Sequence, residues 1–214
     1  GVVLIAGPSS SGKTTFSKRL SVQLLARGIT PFALEMDNFF IDREKTPLTP
    51  DGEKDYESLR ALNLKRLNKD LRALLTGKKV QLPRYDFLSG LSVDGETAQL
   101  KKDDIIILEG IHGMNPDLLE GIGANETFKI YISCLTQLNL DRHNRISTTD
   151  TRMLRRILRD ARDRGYSAEQ TIGRWESVRK GESEHIFPYQ ENADVMFNSA
   201  LAYELTTLKP LVEP

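Results

Sequence analysis

The sequence predicts an α/β fold, a parallel central sheet flanked by helices, and three observations predict it. Short all-apolar runs at residues 2–6 and 105–108 lack the alternation of a half-exposed strand and suit strands buried on both faces, and 128–132 is a further candidate for the same sheet. Segments with helical spacing of apolar residues fall between the strands. No internal repeat or low-complexity tract interrupts that alternation, which is the pattern of a doubly wound domain. With 214 residues and 39% hydrophobic content there is enough for one well-buried core and too little for two. One domain over residues 1–214, carrying insertions, is therefore expected.

The run at 2–6 is ended by Gly7 and Pro8. A helix over 13–27 follows, where Phe16, Leu20, Leu24 and Leu25 recur at helical spacing and Gly28 supplies the stop. Residues 31–36 read as the second strand, with Asp37-Asn38-Phe39-Phe40 at its end, and the prolines, Gly52 and charges of 41–57 read as a loop. Ser58 is placed to cap a helix with Leu64, Leu67, Leu71, Leu74 and Leu75 on its core face, closed by Gly77. Residues 80–87 and 91–100 read as the arms of a projecting hairpin around Asp94-Gly95, interrupted by Pro83 and Gly90, an insertion over about residues 80–100. The strand at 105–108 ends in Glu109-Gly110, and 128–132 is a further central strand. Residues 151–164 form an arginine-dense helical stretch. Ser167 then opens another helix, with Gln170 placed for a capping box and Ile172, Trp175 and Val178 on one side, and 195–197 is a last short strand.

Thirty basic residues balance thirty acidic ones, so nothing in the net charge calls for a nucleic-acid or anionic-membrane partner. The single cysteine, Cys134, excludes an internal disulfide, reads as a small buried apolar residue and fits a reducing, cytoplasmic compartment. No apolar run approaches the roughly twenty residues that span a bilayer. The first strand begins almost at residue 1, with no basic-then-apolar leader before it. A fragment of a longer protein, or a trimmed or disordered N-terminus, is the expectation.

Gly7-Pro8-Ser9-Ser10-Ser11-Gly12-Lys13-Thr14 matches the pattern G-x-x-x-x-G-K-S/T and lies between a predicted strand and a predicted helix, the context that motif requires. Glycines there let backbone N–H groups curl around phosphate oxygens, and the helix N-terminus adds its positive end. The phosphate-binding set is Gly7, Ser9, Ser10, Ser11, Gly12, Lys13, Thr14 and Thr15, with Lys13 reaching the β- and γ-phosphates and Thr14 on magnesium. ATP and Mg2+ are the cofactors expected, and the fold becomes a three-layer fold of the P-loop NTPase type. A nucleotide loop alone does not separate a kinase from a switch; the acceptor side must. Asp37 and Glu109 end two strands at the carboxyl edge of the sheet, where open α/β folds bind ligands. Phosphoryl transfer needs one carboxylate to deprotonate the attacking hydroxyl and another to help hold magnesium. Arg152, Arg155, Arg156, Arg159, Arg162 and Arg164 read as a lid over about residues 150–166 that brings positive charge to the transferring phosphoryl group; a solvated helix face is the plainer alternative.

Together these residues resemble the uridine kinases, within the uridine kinase and phosphoribulokinase group of P-loop enzymes, over nearly the whole chain. The matching blocks are the loop at 7–14, Asp37-Asn38-Phe39-Phe40, Lys54-Asp55-Tyr56, Pro83-Arg84-Tyr85-Asp86-Phe87, Leu108-Glu109-Gly110-Ile111 and the arginine block at 155–160. The resemblance implies that Asp37 is the base for a ribose 5′-hydroxyl and stands beside the metal, and that Glu109 joins Thr14 around magnesium. It implies that Asp55 binds ribose hydroxyls, that Tyr85 and Phe87 border the base, and that Arg156, Arg159 and Arg164 are lid residues meeting phosphates or substrate. A homo-oligomer is implied as well. The departures are Gly90 where uridine-cytidine kinases have a base-reading histidine, Phe40 where they have tyrosine, and Tyr166 where they have a lid arginine. The region from 145 to 160 and the abrupt start are similar to bacterial uridine kinase-like proteins that carry a threonyl-tRNA synthetase-like N-terminal region. His112, His143 and His185 lack metal-ligand spacing, but His112 follows Glu109-Gly110-Ile111 and is expected to face the site as a donor to substrate.

The function expected is ATP- and magnesium-dependent transfer of the γ-phosphoryl group to the 5′-hydroxyl of uridine or cytidine. A kinase of another small hydroxyl compound, such as a sugar phosphate or a pantothenate-like molecule, shares the fold and Asp37. A nucleotide-dependent binding or regulatory module is the alternative of a different class, against which Asp37 counts because a pure switch needs no acceptor base.

Overall fold

The computed structural model describes residues 1–136, 139 and 141–212. In chain order its elements are β1 (Val2–Ala6), α1 (Lys13–Leu25), β2 (Pro31–Glu35), α2 (Leu64–Leu75), β3 (Val80–Asp86), β4 (Leu91–Ala98) and β5 (Ile105–Glu109). β6 (Thr127–Ser133), α3 (Thr148–Arg159), α4 (Ala168–Gly173), α5 (Trp175–His185), β7 (Val195–Asn198) and α6 (Glu204–Val212) follow. The strands expected at 2–6, 105–108 and 128–132 become neighbours in a five-stranded parallel sheet in the order β2-β5-β1-β6-β7. Leu4, Ile5 and Ala6 are buried in its centre because both faces are covered, which is why β1 is apolar throughout.

On one face Phe16, Leu20 and Leu24 of α1 pack against Ile5, Ile107, Ile130 and Ile132. On the other, Leu67, Leu71 and Leu74 of α2 join Met36, Phe39, Ile106 and Leu108 in the larger core. Leu25, expected on the packed face of α1, is 57% exposed. It lies one residue past the row 16, 20, 24, so the helix turns it about 100° away. Ser58 does not cap α2: its hydroxyl accepts from the Arg60 N–H at 3.3 Å and closes a short 3-10 turn, Leu59–Ala61. Asn63 caps α2 instead, its Oδ1 accepting from the Arg66 N–H at 3.0 Å. Asn63→Ala is expected to cost about 1 kcal/mol, visible as a lower urea midpoint with an unchanged slope.

The hairpin is present, but its turn is not at Asp94-Gly95. That pair sits inside β4 opposite Pro83, where the register shifts between Gln81 and Pro83 because proline has no N–H for the ladder. The chain reverses at residues 87–90. Asp86 organises that turn, accepting from the Leu88 N–H at 3.0 Å and the Ser89 hydroxyl at 2.7 Å, while the Gly90 N–H donates to the Asp86 carbonyl at 2.7 Å. The arginine-dense helix runs as α3 to Arg159 and widens into a π turn over Asp160–Arg164. The Ser167–Gln170 capping box forms, at 3.2 and 2.9 Å. Trp175 and Val178 are buried, yet Ile172 is 51% exposed, because the helix breaks between Gly173 and Trp175 and the three do not share a face. Cys134 is buried, and among the described residues no helix is long and apolar enough to cross a membrane.

Candidate active site

β1 delivers the chain at the middle of the sheet's carboxyl edge, and the loop from Gly7 to Gly12 carries it into α1. Gly7 has φ +152°, and a Cβ there would run into the Ile132 carbonyl of the adjacent strand, so only glycine lets the loop leave the sheet at this point. Ser10 is the one non-glycine residue with positive φ among those described, at 56°. Such a residue costs about 1–3 kcal/mol and persists where its surroundings over-determine it.

Those surroundings are explicit. The Ser9 N–H donates to Glu182 Oε1 at 3.0 Å, and Arg152 Nε donates to the Ser9 carbonyl at 2.9 Å. Arg152 and Glu182 pair with each other and are both buried, and the Arg152 guanidinium lies 5.4 Å from the Trp175 ring centre. Arg155 donates to the Ser10 carbonyl at 3.3 Å while pairing with Glu204, and Ser199 Oγ donates to the Ser11 carbonyl. Arg152 and Arg155, read from sequence as part of a lid, thus grip the loop from outside. Lys13 Nζ curls back to donate to the Gly7 and Pro8 carbonyls at 3.0 and 3.3 Å. Burial lowers it below an ordinary lysine, against the pull of Glu109 and Asp37.

β2 and β5 pair in register, Glu35 opposite Glu109, so both strands end at one level and deliver their acids to the same cleft. The Thr14 hydroxyl donates to Glu109 Oε1 at 2.9 Å, and burial raises Glu109, with Lys13 opposing. Asp37 lines the cleft from the 3-10 turn Met36–Phe39 that follows β2. Asp55 lines it too, with Oδ1 accepting from the Glu57 and Ser58 N–H groups at 3.2 and 3.1 Å and Oδ2 3.7 Å from His185 Nε2. Tyr85 is buried, and its ring meets Phe40 at 5.5 Å and Phe87 at 5.1 Å. Phe87 and Thr15 are exposed on the cleft wall.

His112 does not join them. It is 2% exposed, buried beneath the sheet edge and not on the cleft wall that Gly110 and Ile111 line. Burial first, and His185 second, push it down to about 4, so it is neutral. The expected contact with substrate is corrected to a place in the core.

Asp160, 2% exposed, gathers the remaining arginines: Arg159 at 2.8 Å, Arg156 at 3.3 Å and Arg164 at 4.0 Å. Burial lowers Arg156 and Arg164, and in both the neighbouring Arg159 charge is the next cause. Three crowded guanidiniums around one carboxylate suit an anion in the cleft. Arg162 instead pairs with Asp163 in solvent, at 2.7 Å.

Sequence reasoning missed Glu57 and Glu182. Glu57 is half-buried on the cleft wall and packs against Gly181, where a Cβ would lie 2.5 Å from its own. Burial raises it from 4.5 to about 7, with Arg156 opposing. Between those two values the folded chain holds a proton that the unfolded chain has lost, so this stability is present below 4.5 and gone above 7. Glu57→Gln is therefore expected to raise the melting temperature relative to the parent at pH 8 and leave it nearly unchanged at pH 4.5.

The sheet order, the phosphate loop and the acids at the carboxyl edge together define a P-loop kinase. The model for the phosphoribulokinase / uridine kinase family matches residues 2–205, and the chain belongs to that family. It is 28% identical over 213 residues to a uridine kinase of Staphylococcus aureus, covering 97% of this chain and 94% of the relative. A solved structure from Bacillus stearothermophilus, described as a possible uridine kinase, aligns with a TM-score of 0.56 at 22% identity, over 92% of this chain and 88% of its own. Phosphoribulokinase from Rhodobacter spheroides aligns with a TM-score of 0.56 at 16% identity, over 92% and 69%. The two structures establish the shared fold. The family match bears on the kinase region and on no threonyl-tRNA synthetase-like segment.

Proposed function

We propose that the protein is a nucleoside kinase that transfers the γ-phosphoryl group of ATP, with magnesium, to the 5′-hydroxyl of uridine or cytidine. The observation that carries this reading is the meeting of the phosphate loop, the Thr14–Glu109 pair and Asp37 in one cleft. Magnesium is usually held by one or two protein groups together with phosphate oxygens and water. Thr14 and Glu109 fit that demand, and among the described residues no cluster of three or more His, Cys, Asp or Glu offers an all-protein cage. Bound magnesium-ATP supplies the phosphoryl group and a divalent charge beside its oxygens.

The chain's own residues do the rest. The loop amides of Ser10 and of Gly12 to Thr15 bind phosphate oxygens, the Ser9 and Ser11 N–H groups being held by Glu182 and the Pro8 carbonyl, and Lys13 exchanges the Gly7 and Pro8 carbonyls for them. Asp37 orients the acceptor hydroxyl and takes its proton, standing at the edge of the metal site. Asp55 holds ribose hydroxyls, and Tyr85 and Phe87 border the base. The segment at about 150–166 acts as a lid in which Arg156, Arg159 and Arg164 meet phosphate charge and exclude water. The family resemblance supports a homo-oligomer, and the lone buried cysteine supports the cytoplasm.

The test is ADP release by the purified protein with magnesium-ATP against nucleosides, sugars and sugar phosphates. Turnover with uridine or cytidine is expected. Turnover with another alcohol alone would leave a P-loop kinase with a different acceptor, and ATP binding without any turnover would favour the binding module.

A further inference from the structure

One end of the cleft is a wall of aromatic rings. Tyr56 meets Phe40 edge to face at 6.3 Å, Phe40 meets Tyr85 at 5.5 Å, and Tyr85 meets Phe87 at 5.1 Å. Phe87 presents a half-exposed face, and the Arg164 guanidinium lies 5.3 Å from its ring centre. Such a wall takes a flat conjugated ring by stacking, and stacking alone distinguishes poorly between bases because every base has a π-face. Discrimination needs a polar group at the edge of the ring.

Arg43 is a charged group joined to this wall through the Phe87 carbonyl. It lines the same cleft and is fixed to the hairpin turn at two points, its N–H donating to the Gly90 carbonyl at 2.8 Å and its Nη2 to the Phe87 carbonyl at 2.6 Å. Its side chain lies so close over Gly90 that a Cβ there would sit 2.6 Å from Nε and 2.8 Å from the Arg43 Cβ. Gly90 also has φ +74°, a conformation L side chains rarely adopt. The turn therefore presents no side chain of its own at position 90, and the Arg43 side chain occupies the space. A guanidinium has five N–H donors and no acceptor. The Phe87 bond uses one of them and the Tyr85 hydroxyl is beside another, which leaves donors to spare.

Resting on the nucleoside reading above, we propose that Arg43 selects the acceptor by its base, favouring an edge that carries carbonyl oxygens over one that carries an exocyclic amino group. Carbonyl oxygens accept from the guanidinium, whereas an amino group turns donor against donor and leaves both without partners when the cleft closes. Uridine, with a carbonyl where cytidine has an amino group, is then the better acceptor. The expected preference in kcat/KM is roughly tenfold to a hundredfold, the range of a well-formed arginine–carbonyl contact.

The experiment is kcat/KM for uridine and cytidine in the parent, Arg43→Gln and Gly90→Ala, with melting temperature and KM for ATP recorded for each. A carboxamide donates and accepts, so Arg43→Gln is expected to bring the uridine-to-cytidine ratio close to one while KM for ATP stays unchanged. Gly90→Ala, which displaces the guanidinium without removing it, is expected to lower the ratio in the same direction. It carries the test if Arg43→Gln does not fold. A parent that prefers cytidine, or a ratio that neither variant moves in a folded, active protein, overturns the role of Arg43 and leaves the nucleoside kinase standing. If the parent phosphorylates no nucleoside, both readings fall together.

Discussion

Asp37→Asn is expected to bind magnesium-ATP as tightly as the parent while phosphoryl transfer falls about 10²- to 10⁴-fold, the usual contribution of a positioned general base. Asparagine keeps the size of the side chain and loses the ability to take a proton. Asp37 stands within electrostatic reach of Lys13, Glu109 and Arg164, among the groups that would surround the phosphates. Its negative charge repels a triphosphate, so neutralising it gives no reason for weaker nucleotide binding. Calorimetric titration of ATP beside steady-state ADP release separates the two quantities. A variant that keeps turnover within a few-fold of the parent removes Asp37 from the role of base.

Glu182→Ala is expected to destabilise the protein by about 3–5 kcal/mol, because it leaves the charge of Arg152 buried and unpaired. Both side chains are buried, and Glu182 alone accepts the Ser9 N–H. In Arg152→Met/Glu182→Leu the same volume is apolar, and most of the lost stability should return, since buried ion pairs contribute little beyond well-packed apolar residues. ATP affinity should not return. The Ser9 N–H and carbonyl would both lack the partners that hold the left-handed turn at Ser10. Urea unfolding and KM for ATP, measured on the single and double variants, decide the matter. A double variant with parental KM for ATP would reduce the pair to a stabilising device.

The central sheet and the phosphate loop were legible in the sequence because their signals are local. Apolar runs of strand length announce buried strands, and the Gly7 to Thr14 motif specifies its own turn. The acids at 37 and 109 were legible because each stands at the end of a strand the sequence predicts. The grip on the loop was not, since the partners of Ser9 lie 143 and 173 residues away and nothing in helical spacing tells which arginine turns inward. Arg152 and Arg155 turned to the loop, Arg156, Arg159 and Arg164 to Asp160, and Arg162 to solvent. The hairpin turn was misplaced because Asp94-Gly95 is the stronger local turn signal, while in the fold Asp94 pairs with Pro83 and the glycine lies against the Leu82 and Pro83 carbonyls. His112 followed a site residue in sequence, and one residue along an irregular chain was enough to carry it into the core. Glu57 has no sequence signature at all; its burial and its neighbours come from α5 and α3.

The most direct test of a nucleoside 5′-kinase is phosphorus NMR of the products formed from uridine, magnesium and ATP, with 5′-deoxyuridine as the parallel acceptor. The expected result is ADP and a nucleoside 5′-monophosphate from uridine, and no phosphorylated nucleoside from the analogue lacking the 5′-hydroxyl. The absence of any monophosphate from uridine or cytidine, with the protein folded and binding ATP, would contradict it.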